Sequence, residues 1–167
     1  MIILALDQSL HDNGWAIFKD GKLKDYGKFS IKKTLPLEVR LNLVQQNILD
    51  VIYDHLGGEN PDKIVFEGIQ QQNNVETFKR LAMVQAAIML LCYNSEVDYV
   101  ILSPSQWRAI NGGGYGRKRE EQKQESINKV KQWYHIDNID NDVADAINIG
   151  HAFFEDNKAQ ERIYFGK

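Results

Sequence analysis

Met1-Ile2-Ile3-Leu4-Ala5-Leu6-Asp7 opens the chain with a continuous apolar run that ends in an acid. A run of this length and composition is typical of a strand buried on both faces, and so of a sheet that helices cover on both sides. Asp7 follows where the strand leaves the core. An acid in this position is either a turn former or helix cap, or a functional group.

Glu67 ends a second strand of the same design. Pro61-Asp62 precedes the β-branched and aromatic run Lys63-Ile64-Val65-Phe66, and Glu67-Gly68 follows it. Two strand ends therefore each offer one carboxylate.

The remaining patterns predict how the sheet is built. Asp20-Gly21 lies between two strand-like segments and predicts a hairpin that pairs antiparallel with the first strand. Helical periodicity follows Pro36, stops at Gly57-Gly58 and resumes from Phe78 to Cys92, before a further strand at 98–102. We predict an α/β fold with a mixed five-stranded sheet flanked by helices, in a single domain covering residues 1–167.

Asp142 and Asp145 form a third acidic feature, at the start of a predicted helix. Their spacing of three places both on one helical face, in the first turn, where the helix dipole favours negative charge. Taken alone, the pair is equally compatible with a solvated helix start. Together with Asp7 and Glu67 it predicts a cluster of carboxylates, which is costly in a fold's interior unless a cation holds it together. Hard oxygen ligands without histidine or cysteine nearby favour Mg²⁺ or Mn²⁺ over zinc.

Overall composition says little about partners. The 167-residue chain has a formal net charge of −3 and a pI near 5.8, which do not indicate a nucleic-acid binder, although an acidic active site lowers net charge even in one that binds. The single cysteine, Cys92, lies on an apolar helical face and is expected to pack there. No apolar run reaches membrane-spanning length and no secretory signal is visible, so we expect a cytoplasmic protein without membrane contact.

A cationic glycine loop is the second informative region. Gln106-Trp107-Arg108 is followed by a run that contains Gly112-Gly113-Gly114 and then Arg117-Lys118-Arg119, ahead of a helix that carries Lys123. Clustered Lys and Arg suit a phosphate backbone, since such contacts release condensed counterions. A solvated basic loop is the alternative, and the spacing does not match a P-loop.

The order of these motifs resembles the RuvC Holliday junction resolvases of the RNase H-like superfamily, most closely their bacteriophage branch. The motifs are Leu-Ala-Leu-Asp-Gln-Ser around Asp7, Phe-Glu-Gly around Glu67, Ser-Pro-x-x-Trp-Arg at 103–108, the glycine loop and Asp-Val-Ala-Asp-Ala at 142–146. The likeness covers essentially the whole chain and implies a homodimeric endodeoxyribonuclease that cleaves four-way junctions, forks and other branched DNA.

Site residues follow from this resemblance by position. It implies that Asp7, Glu67, Asp142 and Asp145 are the catalytic metal ligands and that Lys123 is also catalytic. It further implies DNA contacts from the basic residues Arg108, Arg117, Lys118, Arg119 and Lys123. The implied chemistry uses two Mg²⁺ ions about 4 Å apart, replaceable by Mn²⁺, to activate a water and stabilise the leaving 3′ oxygen.

The sequence departs from the family pattern after the glutamate. Cellular members commonly have an aromatic residue there that stacks on a junction base, whereas this chain has Gly68-Ile69-Gln70-Gln71-Gln72-Asn73. We therefore expect weak sequence selectivity. Three other readings remain open: an RNase H-like nuclease for RNA or RNA–DNA hybrids, a non-catalytic junction-binding module, and an actin-like ATPase, which would need a second domain and a second phosphate motif.

Overall fold

The computed structural model describes residues 1–70, 74–113 and 118–165, with side chains described as far as residue 157. Its strands are β1 (Ile2–Asp7), β2 (Asp12–Lys19), β3 (Lys22–Ser30), β4 (Lys63–Glu67) and β5 (Asp98–Leu102). Its helices are α1 (Leu37–Leu56), α2 (Val75–Asn94), α3 (Pro104–Ile110), α4 (Arg119–Tyr134) and α5 (Asn141–Phe165). None of the helices in these ranges is long and apolar enough to cross a membrane.

The strands form one five-stranded sheet in the order β3-β2-β1-β4-β5. β2 pairs antiparallel with both β1 and β3, whereas β4 pairs parallel with β1 and β5. The Asp20-Gly21 turn has positive φ at both residues, 51° and 75°, as the tight hairpin between β2 and β3 requires. The predicted mixed sheet is confirmed.

Two cores lie on opposite faces of the sheet, and β1 contributes to both. Leu4 and Leu6 pack with α1 and α2 on one face, whereas Ile3 and Ala5 pack with the α5 side of the molecule on the other. All four side chains are at most 2% exposed. The apolar run of β1 is thus continuous because neither of its faces meets water.

Helix α1 ends at a glycine. Helix α3, which the sequence did not predict, begins with a capping box. Gly57 follows α1 in the left-handed conformation (φ 64°), the usual end signal. Ser103-Pro104 follows β5 and starts α3: the Ser103 hydroxyl accepts from Gln106 N, and the Gln106 side chain accepts from Ser103 N. The expected two helices after β5 are therefore three within the described residues.

Helix α5 lies unusually close to the sheet because small residues line the contact. Ala144, Ala146 and Ala152 are fully buried on this side. A Cβ on Gly150 would lie 2.3 Å from the Phe18 ring, and one on Gly14 of β2 would lie 1.9 Å from the carbonyl oxygen of Asp142. The absence of side chains at these two glycines lets the start of α5 reach the end of β1.

Candidate active site

All four predicted acids line a single open cleft of about 650 Å³. The strand ends of β1 and β4 and the residues that follow them form one part of its wall, and α3 and the first turns of α2, α4 and α5 form the rest. Its lining residues are Asp7, Gln8, Glu67, Gly68, Ile69, Gln70, Thr77, Leu81, Pro104, Arg108, Arg119, Gln122, Lys123, Asn141, Asp142 and Asp145.

Asp7 and Glu67 are brought together by the sheet itself. Their strands are parallel neighbours in register, with Leu6 opposite Phe66, so the next residue on each strand leaves the sheet at the same edge. Gln8 fixes this edge, because its side chain donates to Glu67 O at 2.5 Å and accepts from Glu67 N at 3.2 Å. The position of the Glu67 backbone therefore depends on the residue that follows Asp7.

Asp142 and Asp145 reach the cleft from the first turn of α5. Asp140 begins this helix, with its carboxylate accepting from Asp142 N at 3.0 Å and its carbonyl accepting from Ala144 N at 2.9 Å. Lys28 of β3 holds Asp140 through an ion pair of 2.6 Å. The helix start is thus tied to the edge of the sheet.

Burial and mutual repulsion raise the pKa of every one of these acids. For Asp7, burial raises the pKa well above its usual range, and the charges of Asp145, Glu67 and Asp142 raise it further. Burial raises the pKa of Asp145 to about 6, although a hydrogen bond from Ser126 opposes the shift. Burial also raises the pKa of Glu67, against a hydrogen bond from Trp107 and the charge of Arg108. Such a cluster holds its negative charge at neutral pH only at a cost that a bound cation would offset.

Asp142 differs from Asp145 although both lie on the same helical face. The pKa of Asp142 is raised by burial, followed by the charges of Asp140 and Asp12, and Lys28 opposes these effects. Its electrostatic surroundings are therefore those of the sheet edge near β3. Asp142 thus lies between the edge of the sheet and the acid cluster, because its own charge also raises the pKa of Asp7 and of Asp145.

Side chains from α3 and α4 hold individual acids of the cluster. The Trp107 indole, 2% exposed, donates from Nε1 to Glu67 Oε1 at 3.0 Å. The Arg108 guanidinium lies 4.4 Å from the centre of the Trp107 ring and 3.9 Å from the same Glu67 oxygen. On the other side of the cleft, the Ser126 hydroxyl of α4 donates to Asp145 Oδ1.

The sequence did not single out Trp107, Ser126 or Gln8 as functional residues. Trp107 and Gln8 occur in motifs that carry the family resemblance, but those motifs assign neither residue a role. A buried serine carries no recognisable signal when its partner is 19 residues away in the chain. The capping box that starts α3 was the one local signal that could have placed Trp107 on a helix beside β4.

The predicted basic residues fall into three groups. Arg108, Arg119 and Lys123 line the cleft with the acids. Lys118 lies just before α4, where its backbone N–H donates to Glu121 at 3.1 Å, and it is not a lining residue. Arg117 lies outside the described residues, as do positions 71–73 of the glutamine-rich stretch, whereas Gln70 lines the cleft.

The acids match a hard divalent cation in donor chemistry, since all are carboxylates and their burial and repulsion favour a positive ion between them. Within residues 1–70, 74–113 and 118–165, no group of three or more His, Cys, Asp or Glu side chains is arranged so that it could hold a metal ion. The four carboxylates nevertheless face the same cleft.

Comparisons with known proteins agree with one another. The family model described as "Crossover junction endodeoxyribonuclease RuvC" matches residues 3–152. A relative with this name from Thermomicrobium roseum is 24% identical over 164 residues, which cover 96% of this chain and 97% of the relative. Another from Dictyoglomus thermophilum is 27% identical over 151 residues, covering 88% and 92% of the two chains.

Solved structures show the same fold. Thermus thermophilus RuvC in complex with a Holliday junction substrate superimposes with a TM-score of 0.76 at 13% identity, covering 95% of this chain and 96% of that one. The yeast mitochondrial Holliday junction resolvase gives a TM-score of 0.60 at 13% identity, covering 97% and 82%. At 13% identity, the likeness to these structures concerns the fold alone. The expected RNase H-like architecture is confirmed.

Proposed function

This chain belongs to the RuvC family of crossover junction endodeoxyribonucleases, and from that membership we propose that it hydrolyses phosphodiester bonds in four-way junctions and other branched DNA. One observation supports the proposal above all others. The four acids that the family motif supplies line one cleft together with Arg108, Arg119 and Lys123, so negative ligands and phosphate-binding cations face the same space.

Members of this family depend on divalent metal. We propose that Asp7, Glu67, Asp142 and Asp145 would hold two Mg²⁺ ions, for which Mn²⁺ substitutes. When bound, such ions supply Lewis-acid activation of a water and stabilisation of the leaving oxygen.

The chain's own basic residues would supply binding and orientation. Lys123 and Arg119, at the start of α4, would hold phosphates of the DNA backbone at the mouth of the cleft. Arg108 would limit the negative charge around Glu67, from which it is 3.9 Å away, and so keep that carboxylate in its ionised form.

The proposed cleavage can be tested with a panel of substrates. The purified protein is incubated with four-way, forked and linear DNA and with an RNA–DNA hybrid, in Mg²⁺ or in EDTA. We expect paired nicks near the centre of the four-way junction in Mg²⁺, with 5′-phosphate and 3′-hydroxyl ends. Asp7→Asn should bind the junction with unchanged affinity and lose at least about 1,000-fold in cleavage rate, since a ligand of the reacting ions is removed.

A matched control distinguishes the loss of a metal-binding carboxylate from the loss of a negative charge elsewhere on the protein. Asp54→Asn removes one carboxylate from the exposed face of α1, away from the cleft, and should cut as the unaltered protein does. Full cleavage by Asp7→Asn, or preferential cleavage of the hybrid, would contradict the proposal.

Weak sequence selectivity is part of the proposal. Gln70 lines the cleft near the position where cellular relatives commonly have a stacking aromatic residue, and an amide does not offer an aromatic face. Mapping nicks on junctions with mobile centres should therefore show cuts at many sequences. A single preferred tetranucleotide would contradict this expectation.

A homodimer is also proposed, through the exposed side of α2. Val75, Met83, Leu90 and Tyr93 recur at helical spacing on this long helix and are 62%, 44%, 59% and 81% exposed. An apolar stripe of this kind on a surface helix is typical of a contact with another chain. Light scattering should give the mass of two chains, and Leu90→Glu should give one; a monomeric unaltered protein at micromolar concentration would refute the dimer.

A further inference from the structure

Ser126 is one of only three polar residues classed as buried among the described residues, together with Asn13 and Asn148. It lies in the middle of α4 and is 4% exposed. Its hydroxyl donates a hydrogen bond to Asp145 Oδ1, on the neighbouring helix α5. A buried hydroxyl of this kind contributes little to packing, and its hydrogen bond to a charged group is its main interaction.

The backbone around this contact is fixed by a second buried group. Asn148, fully buried on α5, donates from Nδ2 to Ser126 O at 3.1 Å and to Ala144 O at 2.7 Å. The Asn148 amide thus joins two backbone carbonyls. One belongs to Ser126 of α4, which donates to Asp145, and the other belongs to Ala144 of α5, which directly precedes Asp145.

Asn111, which follows α3, extends this network toward the cationic loop. Its Nδ2 donates to Asn148 O at 2.9 Å and to Asn148 Oδ1 at 3.3 Å. Three elements are therefore locked together at the level of Asp145, so the serine hydroxyl meets the carboxylate in a defined orientation.

We propose that Ser126 is a positioning residue for the reaction: it holds the Asp145 carboxylate by one oxygen so that the group is presented to a divalent cation in the cleft. The inference rests on the proposed function, because it takes Asp145 as a metal ligand. Carboxylates that ligate metals are commonly oriented by a hydrogen bond from a neighbouring group, and loss of such a bond typically weakens metal affinity about 10- to 100-fold.

The test uses Mn²⁺ alone as the probe, followed by spin resonance of the free ion, and compares it with cleavage. Ser126→Ala should weaken Mn²⁺ binding about 10- to 100-fold and raise the Mn²⁺ concentration for half-maximal cleavage by a similar factor. The melting temperature in EDTA at pH 8 should fall modestly, because the buried Asp145 carboxylate loses a hydrogen-bond donor. A serine that served only packing could also lower that temperature but would leave Mn²⁺ binding unchanged, so Mn²⁺ binding is the deciding measurement.

Two further variants make the outcome decisive. Ser30→Ala removes a hydroxyl that donates to Asp12 Oδ1 at 2.6 Å, a similar bond to an acid that does not line the cleft, and should bind Mn²⁺ normally. Ser126→Cys keeps the size but donates poorly, and should weaken binding if Ser126→Ala does not fold.

The possible results separate the two proposals. Normal Mn²⁺ binding by a folded Ser126→Ala or Ser126→Cys protein would overturn the positioning role while leaving the nuclease proposal intact. If the unaltered protein binds Mn²⁺ but cuts no branched DNA, the proposed function fails and the comparison of Ser126 variants still decides the positioning role. An unaltered protein that neither binds Mn²⁺ nor responds to it would overturn both.

Discussion

The strand-end acids, Asp7 and Glu67, and the helix-start acids, Asp142 and Asp145, reach the same cleft by different means. The strand-end acids are positioned by the pairing of β1 with β4 and by the side chain of Gln8, which directly follows β1. The helix-start acids depend on how α5 packs against β2 and on one hydroxyl from α4. Strand pairing within the sheet thus positions one pair of acids, and the packing of helices against the sheet positions the other.

The largest effect expected for a residue outside the acid cluster comes from changing the fit of α5 to the sheet. In Gly14→Ala the new Cβ would lie 1.9 Å from the Asp142 carbonyl oxygen, which is backbone, so the helix start must move away from Asp7. We expect cleavage to fall at least about 100-fold, as for other small misplacements of catalytic groups. Stability should fall by about 1–3 kcal/mol, as for overpacked cores. Junction cleavage and urea denaturation measure the two effects.

Gly57→Ala is the control for this change. Gly57 has φ 64° and nothing within 4 Å of an added Cβ, so its replacement strains one helix end far from the cleft. It should lower stability by about 1 kcal/mol and leave cleavage unaltered. Normal cleavage by Gly14→Ala would show that the helix-start acids do not depend on this close approach.

Changes in stability of intermediate size should distinguish the two helix-start acids from each other. At pH 8 without metal, Asp145→Asn should stabilise the protein by about 1–3 kcal/mol, because it removes a buried carboxylate that only partial hydrogen bonding supports. Asp142→Asn should stabilise the protein less than Asp145→Asn does, since Asp142 lies at the rim near Lys28. Thermal melting in EDTA measures both.

The pH dependence of this gain has a definite sign. The folded-state pKa of Asp145, about 6, lies above its ordinary value of 3.8, so its ionisation disfavours the folded state. The penalty is absent below the ordinary pKa, grows as pH rises and is complete above about 6. The stabilisation by Asp145→Asn should therefore be present at pH 8 and vanish near pH 4; a gain that is equal at both values would contradict the burial argument.

The smallest expected effect concerns the strand-end acids. Trp107→Phe keeps an aromatic ring in the core but removes the donor to Glu67 Oε1, leaving the Glu67 backbone held by Gln8. We expect about a 10-fold loss of cleavage rate at limiting Mg²⁺ and a smaller loss at saturation. Trp133→Phe is the matched control, because Trp133 stacks on His151 at 4.0 Å and does not line the cleft. Equal rates for the two variants would remove Trp107 from the site.

The sequence predicted those features that depend on neighbouring residues. The apolar run before Asp7, the punctuation around Glu67 and the Asp20-Gly21 turn are local signals, and the strands they predict are present. The start of α5 was also predicted from signals within a short stretch of sequence. Spacing placed Asp142 and Asp145 on one face but could not show how deeply each one lies, since depth depends on the elements packed against that face.

The remaining features required the fold. Trp107 and Ser126 meet their acids only after α3 and α4 have packed beside β4 and α5. Ser103-Pro104 directly follows a strand, where proline usually marks its end, and only the capping box with Gln106 distinguishes the start of a helix. The single domain over 1–167, the bacteriophage branch and the cytoplasmic location stay predictions.

The order of the acids along the chain has a consequence for synthesis. Asp7 and Glu67 lie in the first half of the sequence, whereas Asp142 and Asp145 belong to its last helix. Because a ribosome releases the N-terminal part first, the sheet edge can form while the other two acids are still unsynthesised. A nascent or truncated chain that ends before Asn141 therefore lacks two of the four acids that line the cleft, and the complete cleft exists only after nearly all of the protein has been made.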